Sequence, residues 1–153
     1  VLVESARIAR GEILDTEQLN IELFDGLIIP GGFGAAKNLC DFAVKGAQCQ
    51  VNPIVDKFVQ QFIAAGKPIG FICIAPVMIP HFVKGATGTI GQDADTAAAF
   101  EQMGGIHQAV NVDEIVVDEQ HKIISTPAYM LAQSIVEANQ GIQKLVAKVI
   151  ELA

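Results

Sequence analysis

Cys73 is the residue best placed to do chemistry. It sits in Pro68-Ile69-Gly70-Phe71-Ile72-Cys73-Ile74-Ala75-Pro76, an apolar run leading into Val77-Met78-Ile79. This pattern predicts a strand that turns sharply into a helix with the cysteine at the bend, a nucleophile elbow. Such a bend lifts its side chain into solvent at the carboxyl end of a parallel sheet. It also brings the sulfur beside a helix N-terminus, where unpaired N–H groups and the helix dipole favour thiolate over thiol. Upstream, Leu27-Ile28-Ile29-Pro30-Gly31-Gly32-Phe33-Gly34 predicts a second strand ending in a glycine-rich turn. Glycine backbone can come close to a reacting atom and offer N–H donors to a developing oxyanion. The expected oxyanion donors are therefore the amide of Ile74 and that of Gly32 or its neighbour Gly31.

A cysteine nucleophile also needs a group to move protons. The residue after Cys73 is Ile74, so the Cys-His pair of protease-like sites is missing. His81, His107 and His121 are scattered, share no ligand spacing and read as structural or solvated; no metal site is expected. Cys40 and Cys49 carry no elbow signature and read as packing or surface cysteines. Gly31-Gly32-Phe33-Gly34 lacks the spacing of a dinucleotide turn and the Lys-Ser/Thr of a nucleotide loop, so no cofactor is expected. Asp93, Asp95, Asp113, Glu114 and Asp118 match no calcium-loop pattern and are expected to cap helices and strand ends.

The elements that must position Cys73 are legible around it. Val1 to Arg10 reads as a short helix closed by Gly11, and Asp15-Thr16 as a cap before Glu17. Asp25 to Ile29 is a strand buried on both faces. The clearest helix runs from Pro53 to Ala65: Asn52 is the N-cap, Pro53 the first helical residue, Gly66 the C′ residue. It feeds the Ile69–Cys73 strand, a strand–helix–strand unit with a parallel crossover. Thr87 to Gly91 reads as a short strand and Asp95 to Met103 as a helix. Asp113–Val117 and Lys122–Thr126 flank a polar turn and predict a β-hairpin. Two helices are expected at the end, Tyr129–Ala138 and Ile142–Leu152.

Composition narrows the class. With 153 residues, 51% hydrophobic and 18% charged, the chain can bury one sizeable core, so a single domain over 1–153 is expected. A net charge of −7 with scattered Lys and Arg excludes a nucleic-acid surface. No run approaches the length of a membrane span. The three cysteines have no C-x-x-C spacing, which points to a reducing, cytoplasmic setting.

The runs Ile29 to Leu39, Gly66 to Pro76 and Ser125-Thr126-Pro127-Ala128-Tyr129-Met130-Leu131-Ala132-Gln133 closely resemble signatures of the ElbB family. ElbB is the glyoxalase-like, isoprenoid-linked branch of the PfpI-type superfamily, within the class I glutamine amidotransferase-like fold. The likeness spans essentially the whole chain. It implies an α/β flavodoxin-like three-layer sandwich with a mainly parallel sheet and the hairpin in its C-terminal half. It implies Cys73 as nucleophile in a glyoxalase III-like lyase, converting small 2-oxoaldehydes to hydroxy acids without glutathione, and a homodimer. Family members carry a strand and helix ahead of the segment aligned with Val1, including a carboxylic acid that hydrogen-bonds the sulfur. The chain is thus expected to be N-terminally incomplete, and Glu4, Glu12 and Glu17 match no family position. The alternatives are a non-catalytic redox-sensing or regulatory module using Cys73, or an inactive fragment. A glutamine amidotransferase would need a His-x-Glu relay that Ser125–Ala128 does not offer.

Overall fold

A computed structural model describes residues 2–153; Val1, expected to open the first helix, lies outside the described residues. Its helices are α1 (Leu2–Ile8), α2 (Phe42–Lys45), α3 (Pro53–Ala64), α4 (Ile79–Phe82), α5 (Ala94–Gln102) and α6 (Ile135–Leu152). Its strands are β1 (Leu27–Ile29), β2 (Ile69–Ile72), β3 (Thr87–Gly88), β4 (Ile106–His107), β5 (Val116–Asp118) and β6 (Ile123–Thr126). The main sheet has the order β1-β2-β6-β5, and β3 and β4 form a separate parallel pair. β2 runs parallel to both β1 and β6, while β5 is antiparallel to β6. This is the expected α/β sandwich with a mainly parallel sheet. Among the described residues β1 pairs with β2 alone, at one margin of the sheet.

Strand periodicity divides the core. Leu27, Ile29, Ile69, Phe71 and Ile123 point to one side and join Val59 and Phe62 of α3, Phe82 of α4 and Phe100 of α5. Ile28, Ile72 and Ile124 point to the other and meet Leu145 and Val149 of α6. Successive strand residues face opposite sides, so the two clusters alternate along β2 as a sheet covered by helices on both faces requires. Phe62, Phe71 and Phe100 are at most 1% exposed, each burial contributing about 1.5–3 kcal/mol.

The best-read helix is α3. Asn52 accepts from the Ile54 amide at 2.9 Å, Pro53 opens the first turn, and Gly66 follows the end at φ 66°. The hairpin also forms, but β5 begins at Val116 rather than Asp113. The strand expected over Thr87–Gly91 shrinks to two residues, and its partner β4 left no sequence signal because two residues cannot show a period.

The C-terminus corrects the sequence reading. Tyr129 belongs to a 3-10 turn, Ala128–Met130, and one helix then runs unbroken from Ile135 to Leu152 through Gly141. Gly141 marks a close approach, not a break. A Cβ there would lie 2.5 Å from Thr126 Oγ1 and 2.7 Å from the Val112 carbonyl oxygen. On a free helix Gly→Ala would stabilise by about 1 kcal/mol. Here the backbone contact reverses the sign: Gly141→Ala is expected to cost about 1–3 kcal/mol in urea denaturation.

Asp118 ties β3 to the hairpin. Its carboxylate accepts from the Thr87 amide at 2.8 Å, the His121 amide at 3.1 Å and His121 Nδ1 at 2.9 Å. Burial pushes its pKa up, yet the three donors outweigh it and hold the carboxyl below its ordinary 3.8. A depressed carboxyl contributes stability that is present above its unfolded pKa and lost as pH falls through the folded one. Asp118→Asn is expected to lose about 1–3 kcal/mol at neutral pH. The gap to the parent chain should close as the pH drops below 3.8, which thermal melts across pH would reveal.

Candidate functional site at the Cys73 elbow

The elbow forms where the sequence places it. β2 ends at Ile72 and Cys73 takes φ 65°, the left-handed region that side-chain-bearing residues avoid. The conformation costs about 1–3 kcal/mol and persists only where the surroundings enforce it. Two contacts enforce it. The Cys73 amide donates to the Thr126 carbonyl of β6 at 3.0 Å, extending the β2–β6 pairing into the bend. On the other side Gly31 lies flush against the elbow. A Cβ there would come 2.6 Å from the Ile72 carbonyl oxygen, 2.8 Å from Cys73 Cβ and 2.9 Å from the Ile74 nitrogen. Only glycine fits.

Beyond the elbow the expected helix is a 3-10 turn, Ala75–Met78, passing into the four-residue α4. Pro76 and Pro80 each stand at the opening of one of these pieces. The helix expected behind the sulfur is thus reduced to two short segments.

Cys73 is the half-exposed member of the three cysteines. It lines a cavity of about 280 Å³ with Gly32, Phe33, Ala36, Phe42, Ala43, Ile74 and Met130. Gly32 turns at φ 87°, and among the described residues no carbonyl or side chain accepts from the amides of Gly32 or Ile74. The cavity unites Cys73, Gly32 and Ile74; Gly31 is not in its wall but packs against the elbow. The wall is almost wholly apolar, so a ligand here meets carbon and sulfur far more than N–H. Lys37 Nζ lies 4.9 Å from the ring centroid of Phe33, placing a positive charge over one wall residue.

Phe33, Ala36, Phe42, Ala43 and Met130 were not singled out from sequence as site residues. Ala36 comes from a single wide helical turn, Ala35–Leu39, in which the Cys40 amide donates to the Ala35 carbonyl at 3.2 Å. Apart from Cys73, none of the lining residues is titratable. Glu4 pairs with Arg7 at 2.7 Å on the exposed α1. Ser125 and Thr126 are buried and structurally engaged, Ser125 accepting from the Thr89 amide at 2.9 Å and Thr126 donating to the Glu114 carbonyl at 2.8 Å.

The histidines occupy separate environments. His107 packs edge-on to Phe100, and burial lowers its pKa. His121 caps the hairpin turn through Asp118. His81 sits against Cys49, Nε2 to Sγ 3.2 Å. Cys40 and Cys49 are both buried in the larger core cluster, as packing cysteines would be.

No family model matches the chain. It is 44% identical to the rat "ES1 protein homolog, mitochondrial" over 99% of its own length and 60% of that protein. The human "Glutamine amidotransferase-like class 1 domain-containing protein 3, mitochondrial" matches with the same identity and coverage. The chain therefore spans about 60% of the length of these curated relatives. Both relatives are named as mitochondrial, which does not fit a plainly cytoplasmic setting. Among the described residues no helix is long and apolar enough to cross a membrane. A crystal structure from Ehrlichia chaffeensis, described as an isoprenoid biosynthesis protein with an amidotransferase-like domain, superposes with a TM-score of 0.89. It is 35% identical, and the match covers 99% of this chain and 70% of that one. Shared sequence and shared sheet agree: the chain belongs to the class I glutamine amidotransferase-like superfamily.

Proposed function

We propose that the chain is the cysteine-bearing part of a glyoxalase III-like lyase of the ElbB type, acting on small 2-oxoaldehydes. The observation that carries this reading is Cys73 held at φ 65° on the wall of a cavity of about 280 Å³. Strain retained at a half-exposed cysteine beside a cavity is a hallmark of a working nucleophile. The cavity volume suits a small carbonyl compound.

The chemistry balances without a cofactor. The Cys73 thiolate adds to the aldehyde carbon, forming a C–S bond, and the former carbonyl oxygen takes up a proton to give a hemithioacetal. The hydrogen on that carbon leaves as a proton and returns at the neighbouring carbon through an enediol-like state, giving a thioester. Water then cleaves the C–S bond, releasing the hydroxy acid and regenerating the thiol. The amides of Gly32 and Ile74 are the proposed donors to the oxyanion, with Gly31 as the spacer that lets the two loops meet. The proton carrier would come from outside the cavity wall described above. A homodimer and a reducing compartment, cytoplasmic or organellar, belong to the same proposal.

A second reading is favoured by the lack of a titratable lining residue other than Cys73. A regulatory thiol that peroxide converts to a sulfinic acid needs no proton relay.

Cys73→Ala is expected to abolish glyoxal and methylglyoxal consumption by the full-length protein, a loss of about 100-fold or more as removal of a covalent nucleophile requires. Unchanged turnover would overturn the lyase reading. Mass spectrometry of the parent protein after mild peroxide, finding Cys73 as the thiol, would overturn the regulatory one. Cys73→Gly, free of the left-handed penalty, is expected to unfold about 1 kcal/mol later than Cys73→Ala.

A further inference from the structure

The cavity beside Cys73 has a wall that neither the sulfur nor the two amides account for. Phe33, Ala36, Phe42 and Met130 line it, and no side chain in the wall carries a charged ammonium or carboxylate, a hydroxyl or an amide. They come from separate pieces of chain: the glycine loop, the wide turn Ala35–Leu39, α2 and the 3-10 turn Ala128–Met130. Apolar groups scattered singly over a surface need no explanation. Here segments far apart in sequence converge on one space at the strained cysteine.

Most of this wall is fixed in place by hydrogen bonds behind it. Phe42 stands on a loop whose ends are fastened together. Cys40 bridges Val51 antiparallel, the Asp41 amide donates to the Gln50 carbonyl at 3.1 Å, and the Asn52 amide to the Leu39 carbonyl at 2.8 Å. Asp41 Oδ1 accepts from the Gln50 amide at 2.6 Å, and its other oxygen pairs with Lys45. Cys40 Sγ donates to the Ala35 carbonyl at 3.6 Å, tying the same loop to the turn that supplies Ala36. A wall held in this way lowers the ordering cost that a ligand meets. Phe33 differs, with its ring 75% exposed. A large ring left in water beside an apolar cavity gains by being covered.

We infer that this wall is a subsite for an apolar carbon substituent on the electrophile that Cys73 attacks. That the electrophile is a 2-oxoaldehyde rests on the lyase reading above. Within that class the site takes alkyl- or aryl-substituted members in preference to glyoxal and to hydroxylated or charged ones. The geometry at carbon gives the reason. Once the thiolate has added, the former aldehyde carbon bears the sulfur, an oxygen, a hydrogen and the acyl group. The oxygen is drawn to the amides of Gly32 and Ile74, which leaves the acyl group to face the rest of the wall. There a methyl or phenyl substituent meets Phe42, Met130 and Phe33. A hydroxyl or phosphate would lose water and find no partner in return. Volume agrees: about 280 Å³ lies near the lower end of small-molecule pockets and leaves room beyond glyoxal itself.

Alkylation of Cys73 by maleimides reads the subsite without any turnover. The full-length protein is treated with N-methyl-, N-benzyl- and N-(2-carboxyethyl)maleimide. Each Cys73 rate, followed by mass spectrometry, is divided by the rate of N-acetylcysteine with the same reagent. The benzyl reagent is expected to lead the methyl one by about tenfold, the low end of what an apolar group gains in a fitted pocket, and the carboxylate to trail both. Phe33→Asp puts a charge into the wall at a position already exposed to water, and is expected to remove most of the benzyl lead. Phe33→Leu, which stays apolar, is expected to retain it. Phenylglyoxal should likewise exceed glyoxal in kcat/KM by about tenfold. Equal normalised rates for the three maleimides, a benzyl lead untouched by Phe33→Asp, or equal kcat/KM for the two aldehydes would overturn the inference. A benzyl lead in a protein that consumes neither aldehyde would support the subsite and remove the lyase reading instead.

Discussion

The left-handed backbone at Cys73 is the constraint to which the surrounding structure answers. A non-glycine residue at φ 65° needs support on both flanks, and here each flank supplies a different kind. β6 offers a hydrogen bond, its Thr126 carbonyl receiving the Cys73 amide at 3.0 Å. The loop after β1 offers space, because Gly31 has no Cβ to collide with the bend. Parallel pairing of β2 with both neighbours is what delivers those two partners to the same end of the sheet. Phe71 on one face and Ile72 on the other anchor the strand just before the turn. The packed core thus holds the strain that the elbow alone could not.

Much of this was legible in residues with local meaning. Asn52, Pro53 and Gly66 mark α3 because capping and φ preferences act within a turn. The apolar run ending at Cys73 and the run ending at Gly31 mark adjacent buried strands, since strands covered on both faces lose their polar alternation. What stayed hidden depends on tertiary neighbours. Gly141 reads as a helix breaker until Thr126 and Val112 are seen against it. β4 is too short to carry a period. The turn Ala35–Leu39 has no compositional signature, yet it helps to shape the cavity wall.

The site itself was read unevenly. Cys73, Gly32 and Ile74 share one cavity, as their motifs suggested. The apolar partners Phe33, Phe42 and Met130 were invisible as site residues, because hydrophobic side chains look the same in a wall as in a core. Cys49 and His81 are far apart in sequence and meet only when α4 packs against the segment after α2. No spacing rule could have joined them.

The bond between the Cys73 amide and Thr126 ties the bend to the last strand of the parallel trio. Exchange of that single amide with deuterated solvent therefore clocks how often the elbow parts from β6. Against slower exchange at Phe71, it separates local breathing of the reactive loop from dissolution of the whole sheet.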